Sequence, residues 1–296
     1  MWFKQLKLFE TNLQQNYDLL EEQLSKIPFN ECKFNTPSTA GWIPPIDEEN
    51  DILVHEYKNY QMICLQIEEK ILPAYVVKQE LTSKIKKIES DQQHTLSNKE
   101  KLFLKNQIYN DLLLQAFTKI SKIYGYFDFA NNRLIINSIN AKHIELFISL
   151  LQKTIDEIEI TPLTVKNLTT IITSWLQQEN HPKLLTIENV CVLKDPRKTN
   201  NIIRSQGYDL FSKGIKFFLQ EGYQVEQIVM TWQDQVTFML KDKFNFASLQ
   251  YADELINTTK EYQTDTAIER FEVDFIIMTE ILTKLFNDLL KIFKKE

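Results

Sequence analysis

The strongest constraint on this chain lies at its C-terminal end. Ile268, Phe271, Phe275, Met278, Leu282, Leu285, Leu289 and Ile292 recur at alternating steps of three and four. That spacing keeps one apolar stripe on one side of an α-helix and is incompatible with the two-residue period of a strand. Thr266 followed by Glu269 supplies a capping box at its start. Ile277, Ile281, Phe286 and Leu290 form a second line, so the helix must be covered on more than one side. Its own domain and a second subunit are one pair of covers; a single chain enclosing it is the other.

The segments before it predict a mixed α+β fold. WFKQLKLF at 2–9 reads as a strand, and Leu13, Tyr17, Leu20, Leu24 and Ile27 as a helical stripe. GWIPP at 41–45 reads as a proline-bearing loop and QMICLQI at 61–67 as a buried strand. Beyond Pro73, Val77, Leu81, Ile85 and Ile88 make a helix that the polar stretch at 90–98 ends. Ser97 with Glu100 caps a second helix, expected to continue to about Ile120 through Tyr109, Leu113 and Ala116. Two helices joined by a short turn predict a projecting antiparallel finger. Asn131 and Asn132 between YGYFDFA and RLIINS predict a tight hairpin. A helix at 141–157, a helix or turn around Trp175, a strand at 190–194, a helix at 209–221 and strands at 223–231, 235–241 and 244–250 complete the reading: α+β, with mixed antiparallel sheets, a helical finger and a long C-terminal helix.

Several functional classes are disfavoured. The chain has 296 residues, room for about two domains, and only five glycines. They never cluster as a phosphate-cradling loop requires. Three dispersed cysteines, Cys32, Cys64 and Cys191, fit neither a disulfide framework nor a metal clamp and suggest a reducing cytoplasm. His55, His94, His143 and His181 lack the spacing of a helical zinc site and are expected at the surface or a solvated edge. No leader or membrane-spanning run is evident, and no cofactor is expected.

Charge is the informative property. The net charge is −6, but it is segregated. Residues 10–57 hold ten carboxylates against Lys26 and Lys33. Residues 70–122 hold ten lysines against five carboxylates, a local +5 over the finger and the residues flanking it. Residues 191–216 hold six bases (Lys194, Arg197, Lys198, Arg204, Lys213, Lys216) against Asp195 and Asp209. Screening limits electrostatic reach to about 8–10 Å, so a polyanion responds to these local fields and not to the sum.

In order along the chain, MWFKQL at 1–6, GWIPP at 41–45, EEKILP at 68–73, VVKQELTSKIKKIES at 76–90, QAF at 115–117 and RFEVDFIIMTE at 270–280 resemble RdgC, the bacterial recombination-associated protein family. The resemblance covers essentially the whole chain. It implies a ring-shaped homodimer with a basic lining that surrounds double-stranded DNA without reading sequence, a restraint on RecA-promoted strand exchange, a cytoplasmic and nucleoid-associated location, and no catalytic activity or membrane partner. It further implies a central α+β domain (1–73 and 118–165), a helical finger (74–117), and a base domain carrying the dimerisation helix (166–296). Lys78, Lys84, Lys87, Lys119 and Arg204 match basic positions of the family, with Lys213 and Lys216 nearby, and Phe117 matches a position expected at ring closure. Gln206, Gly207, Tyr208, Tyr223 and Gln227 depart from it, standing where the family commonly carries or allows lysine or glutamine.

Two other functions compete. Asp47 or Asp51 followed by Glu68, Glu69 and Lys70 mimics the spacing of a metal-dependent nuclease, although a strand ending in a charged turn explains the same residues. A protein-interaction scaffold built on the heptad helix needs no nucleic acid. For Phe117, a core position between Leu113 and Ile120 competes with an exposed contact.

Overall fold

The computed structural model describes residues 1–34, 36–46, 51–198, 200–261 and 266–295. In chain order the elements are β1 (Leu6–Thr11), α1 (Tyr17–Leu24), β2 (Ser38–Ile43), β3 (His55–Tyr57), β4 (Tyr60–Lys70), α2 (Ala74–Gln92), α3 (Asn98–Gln115), β5 (Thr118–Asp128), β6 (Arg133–Ile136), α4 (Ala141–Thr154), β7 (Ile160–Pro162), α5 (Leu168–Gln178), β8 (Leu185–Lys194), β9 (Ile202–Gln206), α6 (Lys213–Gln220), β10 (Gln224–Trp232), β11 (Val236–Lys241), β12 (Asn245–Tyr251), α7 (Asp253–Glu261) and α8 (Ala267–Lys295).

The strands form one continuous sheet in place of the several expected. Its order is β2-β4-β5-β6-β1-β12-β11-β10-β8-β9, with β3 added to β4 and β7 to β1. β1 joins the two halves, pairing with β6 on one side and β12 on the other. Alternation along β1 shows how the layers divide: Leu6 and Leu8 point into one apolar cluster, Phe9 into another. The first cluster lies under α5, α6 and α8 and runs the length of the sheet, from Met62 and Tyr126 to Trp232 and Phe246. The second packs α1 and α4, through Leu20, Leu24, Ile144 and Phe147, on the opposite face of β4, β5, β6 and β1. That same face continues onto β8, β10 and β11, where Val229, Thr231, Thr237 and Met239 stay half-exposed.

The heptad helix is α8, and its capping box is present: Glu269 N donates to Thr266 Oγ1 (3.1 Å) and Thr266 N to Glu269 Oε2 (3.3 Å). Phe275, Met278, Leu282, Leu285 and Leu289 are buried against this chain's own sheet, as are Ile281 and Phe286 of the second line. Ile268 in the first turn is 39% exposed, and Phe271, Ile277, Leu290 and Ile292 are partly buried against the same cluster. The seam is therefore covered within one chain and does not itself point to a second subunit. Polar tethers fix its register. Trp2 Nε1 donates to Asp274 (3.0 Å), Tyr60 Oη to Thr283 (3.1 Å), Thr283 to buried Asp128 (3.1 Å) and Arg133 to Asn287 (2.8 Å).

Two other local expectations are corrected. GWIPP is not a loop: Gly41, Trp42 and Ile43 pair with Gln66, Leu65 and Cys64. Gly41 is required because a Cβ there would lie 2.4 Å from Phe29 Cα, where residues 27–29 cross the strand. The second finger helix stops at Gln115; Thr118 to Asp128 pair with β4 over eleven positions, and that ladder overrides the helical spacing of Ile120. His55 stands at a solvated edge of the sheet, on β3. It is half-buried edge-on to Phe275, with ring centroids 5.3 Å apart, and burial holds its imidazole below the ordinary value while Glu272 opposes.

Candidate nucleic-acid interface

The finger is an enlarged hairpin loop. β4 and β5 pair from Tyr60↔Asp128 to Lys70↔Thr118, and Ile71 N donates to Phe117 O (2.7 Å) to close the neck. Lys70 Nζ donates to Leu113 O (2.8 Å) in the last turn of α3 and also to Phe34 O, a cation where the helix dipole favours one. At the far end Ser97 N donates to Glu100 Oε2 (2.8 Å), completing the capping box. Two helices packed mainly on each other leave much of their surface in water. Lys78 and Lys87 are exposed and Lys84 half-exposed, the last two sharing a face at a three-residue interval. Lys78 and Lys105 rim a groove floored by Leu72, Val77, Leu81 and Tyr109. Phe117 lies in the link between α3 and β5 and is 85% exposed. The core alternative fails because Ile120 is on a strand, 56% exposed, and covers nothing.

A second basic feature arises from strand register. Partner by partner across the sheet run Arg204 (β9), Val192 (β8), Gln227 (β10), Lys241 (β11), Asn245 (β12) and Lys7 (β1). Directly paired residues of antiparallel strands project from the same face. Here that is the face away from α8, since Leu6, Leu193, Ile228, Leu240 and Phe246 occupy the α8 side. Six strands at about 4.8 Å make the row roughly 24 Å wide. Partial burial, then the neighbouring Lys243, hold the Lys7 ammonium below the usual lysine range, with Asp242 acting against them. Its Nζ sits 5.7 Å from the Phe9 ring centroid. Lys119, paired with Glu69 and alternating with Ile123 of the α4-side cluster, projects from this same face.

The other sequence candidates are distributed differently. Lys213 and Lys216 stand on α6, whose Ile215 and Leu219 pack into the α8-side cluster, so they belong to the opposite layer from Arg204. Lys216 is ion-paired with Glu179. Lys194 is paired with Glu226 at 2.7 Å, and Arg197 with Asp195 at 2.9 Å. Much of the positive charge at 191–216 is thus met by local carboxylates. Gly207 (φ +70°) turns the chain out of β9, with Tyr208 exposed beyond it, and Gln227 occupies the middle of the basic row without charge. Lys7 and Lys241 are missed by a reading along the sequence: they are 234 positions apart and meet only through β12.

These features lie on a chain whose full length, residues 1–296, matches a family described as "Putative exonuclease, RdgC". The chain belongs to the RdgC family. It is 30% identical over 294 residues to the Recombination-associated protein RdgC of Yersinia pestis (strain Pestoides F), covering 98% of this chain and 97% of the relative. The protein of the same name from Yersinia enterocolitica serotype O:8 / biotype 1B matches at the same identity and coverage.

The RdgC family description makes the nuclease-like residues worth following individually. Glu68 is buried and accepts a hydrogen bond from Cys32 N (2.6 Å). Lys70 is held by Leu113 O and Phe34 O, and Glu69 pairs across the ladder with Lys119. Strand alternation puts Glu69 on the face opposite Glu68 and Lys70. Asp51 is exposed, and Asp47 lies outside the described residues. Among the described residues no group of three or more His, Cys, Asp or Glu side chains is arranged to hold a metal ion, and no helix is long and apolar enough to cross a membrane.

Proposed function

We infer that this RdgC-family chain binds duplex DNA without sequence preference, closes around it as a two-subunit ring, and restrains RecA-promoted recombination by occupying the duplex. The observation that carries the reading is the register row from Arg204 to Lys7, which sets the cations Arg204, Lys241 and Lys7 on one face of the sheet of an acidic protein, with a lysine-bearing finger rising from β4 and β5 of the same sheet. Lysines act there as point charges on phosphates, and affinity arises from counterion release. Arginine, the usual reader of guanine, occurs only at 133, 197, 204 and 270, which agrees with indifference to sequence.

In this reading the sheet and α8 make the central and base domains, the finger is the gate, and Phe117 is an apolar contact where two subunits meet. The protein is cytoplasmic and nucleoid-associated, and requires no cofactor. The test is a mobility shift with unrelated duplexes of equal length at low salt, run beside strand exchange by RecA. Equal retardation of all duplexes and inhibition of exchange at the same protein concentration are expected. Absence of retardation, or magnesium-dependent shortening of the duplex from its ends, would overturn it.

A further inference from the structure

The two helices of the finger do not close on each other along their whole length. Leu72, just before α2, with Val77 and Leu81 of α2 and Tyr109 of α3, floors an apolar groove of about 510 Å³. Val77 is buried, Leu72 and Leu81 are half-buried and Tyr109 is exposed, so the groove opens to water. Its rim is cationic. Lys78 of α2 and Lys105 of α3 stand on it, and no carboxylate is among the described residues that line it. Among the described residues neither lysine is ion-paired, whereas Lys101, one turn before Lys105, is met by Glu89 at 3.4 Å. Lys78 also borders a polar strip of α2 with Thr82 and Lys86. From Ala74 to Lys86 the two surfaces run about 18 Å along α2, roughly three helical turns.

We propose that this groove is the docking site for an acidic amphipathic helix of a partner protein, its apolar side chains on Leu72, Val77 and Leu81 and its carboxylates on Lys78, Lys105 and Lys86. Two antiparallel helices with an open apolar furrow present the surface on which a third helix lies, engaged by anchors at steps of three and four. Charge complementarity selects the sign of the occupant, because an acidic helix is attracted by the lysines and another basic finger is repelled. The apolar floor selects its class. A duplex offers phosphates to the lysines but has nothing to bury on Leu72, Val77 and Leu81, whereas the leucines of an amphipathic helix gain by leaving water. The other apolar occupant at hand, Phe117 of a second copy, is uncharged and leaves Lys78 and Lys105 unanswered. Docking needs neither DNA nor ring closure, so the proposal stands apart from the nucleic-acid reading.

Fluorescence polarisation without DNA tests it, using three labelled peptides of about 14 residues, ~21 Å as a helix. The first is built of Leu, Ala and Glu with leucines at steps of three and four; the second has its leucines replaced by glutamine at unchanged charge; the third has its glutamates replaced by lysine. The wild-type chain is expected to bind the first roughly tenfold more tightly than either of the others. Lys78→Glu with Lys105→Glu should reverse the preference between the first and third peptides, a gain that a misfolded variant cannot give. Leu81→Gln should weaken the first by roughly tenfold while leaving duplex binding within about twofold. Equal binding of the leucine and glutamine peptides would reduce the groove to a surface for any polyanion and overturn the proposal. No binding of the first peptide, or a charge-reversed chain that still prefers it, would do the same. Binding that arises only in Phe117→Ala would assign the groove to a second copy instead. Duplex binding by the wild-type chain is scored separately, so its absence refutes the nucleic-acid reading and leaves this one standing.

Discussion

The finger and the base half of the sheet are both basic in sequence, yet the structure treats their charges in opposite ways. In the finger Lys78, Lys84 and Lys87 all lie on α2, exposed or half-exposed. In the base, Lys194, Arg197 and Lys216 are answered by Glu226, Asp195 and Glu179, and the charges that remain on an open face come from strands far apart in sequence. A run of lysines is thus a guide to function only after the partners brought in by tertiary structure are known. The same contrast holds for apolar residues: those of α8 are buried by the sheet, whereas Phe103, Leu114 and Phe117 of the finger region stay in water.

The largest expected effect concerns both regions together. If about six phosphates are neutralised, duplex affinity should fall roughly three orders of magnitude between 50 and 200 mM salt; a flat response in a filter-binding series would break the electrostatic account of either surface. Next, Phe147→Ala, in the cluster under α4, should cost about 3–5 kcal/mol of stability, while Phe117→Ala should leave the melting temperature within about a degree or two, because its ring is already hydrated. The latter should instead weaken self-association and closure on DNA, since aromatic anchors dominate interface energy; sedimentation of both variants checks this. Smaller again, Lys84→Glu with Lys87→Glu should reduce duplex affinity more than tenfold and lower the salt slope by about two, without altering melting. Lys213→Glu with Lys216→Glu, one of them already paired, should do less. Equal losses would erase the distinction between finger and base.

The smallest effect is a pH dependence at the edge of α8. His55 titrates below its ordinary value in the folded chain because burial disfavours its charge. The unfolded chain therefore binds the proton more readily, so stability is lost as pH falls through about 6.5. His55→Gln should flatten that part of a melting-temperature profile.

What the sequence reveals and conceals follows from the range of the interactions. The boxes Ser97–Glu100 and Thr266–Glu269 are local, and both are present. Strands anticipated at 223–231, 235–241 and 244–250 fall within a residue or so of β10, β11 and β12, because alternation and turns are also local. By contrast, helical spacing carried α3 through Ile120, where a ladder to β4 decides otherwise. The heptad seam declares that α8 must be covered and is silent about what covers it. β9 went unnoticed because its exposure pattern has no fully buried position, and the row linking Lys7 to Lys241 exists only in the register of strands that sequence order keeps apart.

One pairing has a consequence for the making of the protein. Leu6 of β1 is opposite Phe246 of β12, and Tyr251 Oη donates to Phe3 O (3.0 Å). The first strand to leave the ribosome therefore waits for a neighbour roughly 240 residues behind it, about 10 to 50 s at ordinary rates of synthesis. Until then Leu6, Leu8 and Phe9 have only β6 and β7 beside them. The finger, whose two helices are contiguous in sequence, is complete long before. The chain thus emerges with its finger formed and its central seam open, and the two halves of the sheet become one body only when translation is nearly over.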